Sequence, residues 1–228
     1  MKGGRRGKEI VIAIDGPSGV GKTTVARKVA DRLGLKAVST GALYRAVALH
    51  FLRKGLTPES PIDVDRGLKD VEVWQEYIDG RIRTFLNGED VTEELDTVEV
   101  SDMASRVAAV KEVREFLLDV QRRLAEGGAV VEGRDIGTVV LPDADVKIFL
   151  DASTGERARR RYEQLVSEGV SVSYEEALRD IRGRDIRDSS RDVAPLKRAK
   201  DAVYIDTTHM TADEVANRII KIVREIAP

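Results

Sequence analysis

The sequence predicts an α/β fold: a five-stranded parallel sheet covered by helices on both faces, carrying a small antiparallel β insertion and a helical segment late in the chain. Three observations predict it. Five short apolar runs alternate with stretches of helical periodicity. Around residues 71–92 the pattern changes to alternating β-prone residues punctuated by Asp79-Gly80 and Asn87-Gly88. Downstream, Ser153/Glu156, Ser173/Glu176 and Thr211/Glu214 have the spacing of helix capping boxes. With 228 residues, 42% of them apolar, the chain can bury the core of one large domain with a small insertion.

The first strand is the apolar run Glu9 to Asp15 (EIVIAID). Glycine-rich residues 16–21 follow, and then a helix in which Val25, Val29 and Leu33 share a face and Gly34 supplies the C-terminal stop. Leu35 to Val38 is a second strand, followed by a helix through TGALYRAVALHFLRKG that closes at Gly55. Turn residues Glu59 to Pro61 break the pattern, with Pro58 or Pro61 as a boundary. The two runs VEVWQEYI and RIRTFL, followed by EDVT, predict an antiparallel meander of about three strands that looks inserted. Helical patterning then runs from Val98 to Glu126 and stops at Gly127-Gly128. Ala129 to Val131, Val146 to Leu150 and Ala202 to Asp206 complete the five strands. The expected organisation is a core of residues 1–61 and 96–228, with a mobile lid at about 155–192, and a β-rich insertion at 62–95.

Composition narrows the chemistry. Charged residues make up 34% of the chain against an average of ~25%, yet the net charge is only −2, a balance unlike that of a nucleic-acid-coating protein. No run of about eighteen apolar residues offers a membrane span, and the basic start MKGGRRGK has no signal-peptide core, so a soluble cytoplasmic protein is expected. There are no cysteines and two histidines, His50 and His209, which leaves catalysis to Asp, Glu, Lys, Arg, hydroxyls and backbone. Of the 38 basic residues, 26 are Arg; most fit a charged, solvated surface, but some stand where planar anion recognition is wanted.

Gly16-Pro17-Ser18-Gly19-Val20-Gly21-Lys22-Thr23 matches the phosphate-binding loop G-x-x-x-x-G-K-[ST] between a buried strand and a helix. In a chain of this composition, chance supplies such a match in fewer than about one case in a hundred. The glycines let backbone N–H groups wrap an anion without a Cβ in the way, and the helix N-terminus adds partial positive charge. Lys22 neutralises β/γ oxygens, and the Thr23 hydroxyl is a Mg²⁺ ligand.

No Asn-Lys pair occurs, so the guanine-reading N-K-x-D of a GTPase is missing, and the strands end in single acids rather than the adjacent pair of a remodelling ATPase. Instead, arginines follow the strand ends: Arg45, Arg134, and Arg184, Arg187 and Arg191 in RDIRDSSRD. Such a cluster suits a kinase whose acceptor is itself a phosphate, because the guanidiniums offset repulsion between two anions. An acceptor phosphate also needs no general base. For Arg187 a surface salt bridge is an equal reading.

The blocks IDGPSGVGKTTVA, TGALYRAVA, ASRVAAVKEVRE, EGRDIGTVVLPDADVKIFLDAS and RDIRDSSRDVAPL, in this order and spacing, resemble the signature blocks of bacterial cytidylate kinases, from about residue 9 to the C-terminus. The resemblance implies a P-loop three-layer fold similar to that of adenylate kinase, and transfer of the γ-phosphoryl of ATP to CMP or dCMP with Mg²⁺. It implies Gly16 to Thr24 as the ATP loop (Gly16, Pro17, Ser18, Gly19, Val20, Gly21, Lys22, Thr23 and Thr24), with Arg157 and Arg161 as lid arginines over ATP. Thr40, Tyr44 and Arg45 match the acceptor block, with Arg45 on its phosphate, while Ser105 and Arg114 match the pair on the cytosine edge. In Gly133-Arg134-Asp135 the arginine falls to the phosphate and the aspartate to the base, and Arg184, Asp188 and Arg191 match ribose and phosphate contacts. Lys22, Arg134, Arg184 and Arg191 are the expected catalytic cations. Ser39 and Glu132 stand where other members have Asp. The β-rich stretch falls where that family extends its monophosphate-binding region.

The implied base suits the residues, because cytosine pairs an amino donor with N3 and O2 acceptors, matching a carboxylate beside an arginine. The expected partners are ATP and CMP or dCMP, with no nucleic acid or membrane, and the expected state is a monomer. The alternatives are another small-acceptor P-loop kinase, directed at uridylate or shikimate, or a non-catalytic ATP-binding regulatory domain.

Overall fold

The computed structural model describes residues 10–191 and 193–227. The basic start, Glu9 at the head of the expected first strand, and Asp192 in the last signature block lie outside the described residues.

The main sheet contains β1 (Val11–Asp15), β2 (Lys36–Ser39), β6 (Ala129–Gly133), β7 (Val146–Asp151) and β8 (Val203–Asp206). They are arranged β2-β6-β1-β7-β8, and every adjacent pair is parallel. β1 lies at the centre, with Ile12, Ala13 and Ile14 fully buried, which is why its sequence is a continuous apolar run. On one face, α1 (Lys22–Leu33) and α8 (Ala212–Ile226) pack Val25, Val29, Val215 and Ile219 against Ile12, Ile14 and Ile148. On the other, Ala13, Val38 and Val131 meet Ala125, Ile136 and Val140. With β1 flanked by two later strands, the loops leaving β1, β2 and β6 converge beyond their carboxyl ends, the crevice where α/β sheets bind ligands.

A second hydrophobic core is separate from those on the two faces of the main sheet. α2 (Thr40–Arg53), α4 (Val98–Val107) and α5 (Lys111–Ala125) bury Leu43, Val47, Phe51, Val107 and Leu117 together with Val73 and Leu86 from the small sheet and Val91 just after it. That sheet is the antiparallel meander β3 (Val73–Ile78), β4 (Arg81–Leu86) and β5 (Glu89–Asp90). Its turns contain Asp79-Gly80 and Asn87-Gly88, all four with positive φ (51°, 70°, 50° and 88°), as two-residue hairpins of matching twist require.

Three local readings change. The stretch from 62 opens with a helix, α3 (Pro61–Lys69), capped by Ser60, whose hydroxyl accepts from Asp63 N, so the strands occupy only 73–90. The long helix expected from Val98 to Glu126 is two helices, broken at residues 108–110. No Gly or Pro marks the break; the Arg114 side chain reaches back to accommodate it, donating to Ala108 O at 3.2 Å. Ser173 and Thr211 form full capping boxes at α7 (Tyr174–Ser190) and α8, but at α6 (Thr154–Ser167) only Ser153 caps, because Arg159 and Arg160 draw the Glu156 carboxylate away. No described helix is long and apolar enough to cross a membrane.

Candidate active site

The loop between β1 and α1 is shaped by contacts only glycine permits. A Cβ on Gly16 would lie 2.2 Å from Leu150 O, and Gly19 has φ +77° with space for a Cβ closed by Arg157 O at 2.9 Å. Lys22 opens α1 and is 6% exposed, with Nζ donating to Pro17 O at 2.8 Å. Burial, reinforced by the Arg134 charge, brings its ammonium down to about 7, against the opposing pull of Glu132, Asp188 and Asp15. The Thr23 hydroxyl donates to Glu132 Oε1 at 2.9 Å. Asp15, at the end of β1, accepts from Ile136 N at 2.7 Å and Gly137 N at 2.8 Å, anchoring the turn that follows β6. Burial raises Asp15 to about 6 despite those two bonds.

Beyond β2 and β6 lies a cavity of about 110 Å³. Every residue expected at the acceptor site lines it: Thr40, Tyr44 and Arg45 from α2, Ser105 and Arg114 from α4 and α5, Gly133, Arg134 and Asp135 from the β6 end, and Arg184, Asp188 and Arg191 from α7 and its cap. Gly41, Ser101, Ala104 and Ala108 also line it; Gly41, Ala104 and Ala108 fall within the quoted blocks, and Ser101 carries no sequence signal. Arg114 Nη2 donates to Asp135 Oδ2 at 2.5 Å, and its guanidinium lies over the Tyr44 ring, 5.7 Å from the centroid. Arg134 Nε donates to Asp188 Oδ2 at 2.7 Å. Burial is the largest single influence on Asp188 and pushes it up, but the charge and hydrogen bond of Arg134 together with the charges of Arg191 and Lys22 outweigh it and leave the carboxyl below its usual range. Among the described residues, Nε and Nη2 of Arg191 and Nε of Arg45 are buried with no hydrogen-bond partner, and burial beside Arg114 pulls the Arg191 guanidinium below its usual range. Buried cationic donors left open in one cavity are positioned to receive an anion.

On the other side of the loop, a cavity of about 730 Å³ is lined by Gly19, Val20, Gly21, Thr24 and Arg161 among the expected ATP residues. It is also lined by Arg160 and by Thr207, Thr208, His209 and Met210 after β8, none of them expected at the ATP site and only His209 marked in the sequence, as one of two histidines. Arg160 ties that segment to the loop, donating to Thr207 O at 2.7 Å and Val20 O at 3.3 Å. The Thr-Thr pair directly after a strand end was the available signal. Arg157 does not line this cavity. Its guanidinium is 6% exposed, makes two bonds to Asp185 at 2.7 and 2.8 Å, and donates to Ser18 O at 3.2 Å. Arg187, the other open reading, donates to Ser105 Oγ at 2.8 Å.

A central parallel sheet, a phosphate loop opening α1 and an arginine-lined cavity beyond the strand ends define a P-loop phosphotransferase. A family model described as cytidylate kinase matches residues 12–225. The cytidylate kinase of Thermotoga neapolitana is 50% identical over 216 residues, covering 94% of this chain and 96% of that protein. That of Geobacter sulfurreducens is 48% identical over 223 residues, covering 97% and 95%. The chain belongs to the cytidylate kinase family. A solved structure of an uncharacterised protein from Eubacterium ventriosum shares the fold, with TM-score 0.53, 18% identity and coverage of 96% and 99% of the two chains.

Proposed function

We propose that this protein transfers the γ-phosphoryl group of ATP to CMP or dCMP, giving CDP or dCDP, as a step of pyrimidine nucleotide metabolism. The observation that carries the reading is the buried Arg114–Asp135 pair facing the same cavity as the open guanidinium of Arg191. A base-reading carboxylate and arginine thus sit beside phosphate-binding cations.

In this reading ATP spans the larger cavity with its phosphates on Gly16 to Thr24, and Arg161 lies over it. The acceptor base meets Asp135, Arg114 and Ser105. Oδ2 of Asp135 accepts from Arg114, and the carboxylate keeps further lone pairs to accept from the cytosine amino group. Uracil presents an acceptor there and loses that bond. Arg45, Arg134, Arg184 and Arg191 hold the acceptor phosphate, and Asp188 both orients Arg134 and meets the ribose. The acceptor phosphate is an anionic nucleophile at neutral pH, and Lys22 with Arg134, Arg184 and Arg191 offsets the charge gathering on the transferred group. Thr40 ties α2 to the end of β6 through Glu132 O at 2.9 Å.

The oxygen-only donor set suits Mg²⁺: the Thr23 hydroxyl and Glu132, whose Oε1 accepts from the Thr23 and Ser39 hydroxyls while Oε2 has no donor among the described residues. When bound, the ion neutralises phosphate oxygens during transfer. A cysteine-free chain acting as a cytoplasmic monomer on free nucleotides completes the reading.

A coupled assay with ATP and a panel of CMP, dCMP, UMP and shikimate tests it. CMP or dCMP should give the highest kcat/KM; UMP or shikimate matching them would overturn it.

A further inference from the structure

The small antiparallel sheet reaches the phosphate loop through a line of polar side chains, buried at Gln75, Thr84, Ser39 and Glu132 and ending at the exposed Thr23. Gln75 on β3 is 8% exposed, and Thr84, opposite it on β4, is 1% exposed. The Gln75 amide grips the Ser39 backbone from both sides, Oε1 accepting from Ser39 N at 3.1 Å and Nε2 donating to Ser39 O at 2.9 Å. Nε2 also donates to Thr84 Oγ1 at 3.1 Å, so both amide atoms are engaged.

The geometry has a reason in the sheet order. β2 is an edge strand paired only with β6, and Ser39 is its last residue, so one side of its backbone has no neighbouring strand. The Gln75 amide, which carries the same donor and acceptor as a peptide group, takes the place of that strand at a single residue. The Ser39 hydroxyl in turn donates to Glu132 Oε1, the oxygen that also accepts from Thr23. With its proton engaged by Glu132, Thr23 Oγ1 keeps lone pairs for a cation, and the carboxylate is held with Oε2 open.

We propose that Gln75 is a positioning residue for the phosphate end of the site: by clamping Ser39 it holds the Ser39 hydroxyl on Glu132, and through Glu132 it fixes the Thr23 hydroxyl. The small sheet therefore serves the phosphate loop as well as the acceptor side. This rests on the reading that Thr23 and Glu132 hold Mg²⁺.

Calorimetric binding of a non-hydrolysable ATP analogue to the full chain, with and without Mg²⁺, tests it. In Gln75→Met the gain in affinity produced by Mg²⁺ should shrink about tenfold, the scale expected when a group supporting a metal ligand is lost. A lower Tm with an unchanged Mg²⁺ gain would reduce Gln75 to a sheet-edge support and overturn the proposal. In a Ser39→Ala background Gln75→Met should produce no further change in that gain; a persisting effect would overturn the route through Ser39. Should Gln75→Met fail to fold, Thr84→Val removes one bond to the amide and should shift the gain in the same direction by a smaller factor, an unchanged gain again overturning the proposal. A wild-type protein with no Mg²⁺ gain would instead overturn the magnesium reading on which the proposal stands.

Discussion

Arg114 and Asp135 form an ion pair at 2.5 Å with side chains only 8% and 7% exposed, joining α5 to the turn after β6 across the acceptor cavity. Two charges removed from water persist only because each is the other's partner, and loss of one leaves the other uncompensated.

Asp135→Ala should therefore cost about 3 to 5 kcal/mol in chemical denaturation. Asp135→Asn keeps the shape and separates the roles. The amide can donate to uracil O4 but loses a charge-assisted bond to cytosine, so the CMP to UMP ratio of kcat/KM should fall about tenfold or more. Equal losses for both substrates would leave Asp135 as a support for Arg114 alone.

Lys22 carries a pH signature. Its ammonium stands at about 7 in the folded protein against 10.5 for an ordinary lysine, so the unfolded chain holds the extra proton between these values. The contribution of Lys22 to stability consequently rises with pH through that window, and burying its charge is costliest below it. ATP phosphates favour the charged form. Binding at pH 8 should take up a proton, visible as a dependence of calorimetric heat on buffer ionisation enthalpy, and Lys22→Met should abolish that dependence. The same substitution should reduce kcat more than about tenfold.

The charge-rich helices α6 and α7 are expected to close over bound nucleotides, yet Arg157 ties α7 to the phosphate loop through Asp185 on one side and Ser18 O on the other. Ile181, fully buried, adds an apolar anchor. Asp185→Ala would strand a buried guanidinium, so hydrogen exchange across residues 174–190 should accelerate while the central strands stay protected. Unchanged exchange would show that the tie does not hold α7.

Gly133 ends β6 where a Cβ would lie 2.5 Å from Thr40 Oγ1 and 2.6 Å from Ile136 Cδ1. Gly133→Ala should displace Thr40 from Glu132 O, lower stability by about 1 to 3 kcal/mol and raise the KM for CMP. Wild-type Tm and KM together would show that the turn has room to give.

The phosphate loop, the five strands, both hairpin turns and the capping residues Ser173 and Thr211 were legible because each depends on a few neighbouring residues: glycines that alone allow close approach or positive φ, apolar runs, side chains that cap their own helix. The helix at 61–69 is legible too, in Ser60-Pro61 followed by Asp63, although Glu59 to Pro61 by themselves fit a turn equally well. The break between α4 and α5 was not, since Ala108, Ala109 and Val110 carry no stop signal and the break is accommodated by Arg114, which lies beyond it. Arg45, Arg134, Arg184 and Arg191 were legible from their places after strand ends and in one charged segment, while Thr40, Tyr44, Ser105, Arg114, Asp135 and Asp188 came only through the family blocks, and the structure gathers all of them around one cavity.

By itself, then, the sequence determined the fold class, the phosphate loop and the set of arginines available to it. Tertiary structure alone decided their pairings: Arg114 with Asp135, Arg134 with Asp188, Arg157 with Asp185, and Gln75 with Ser39 and hence Glu132 and Thr23. The physical reason is that glycine conformations and apolar periodicity act within a few residues. Which buried charge meets which depends on the order β2-β6-β1-β7-β8, which brings β2 and β6, ninety-three positions apart at Ser39 and Glu132, within a single hydrogen bond.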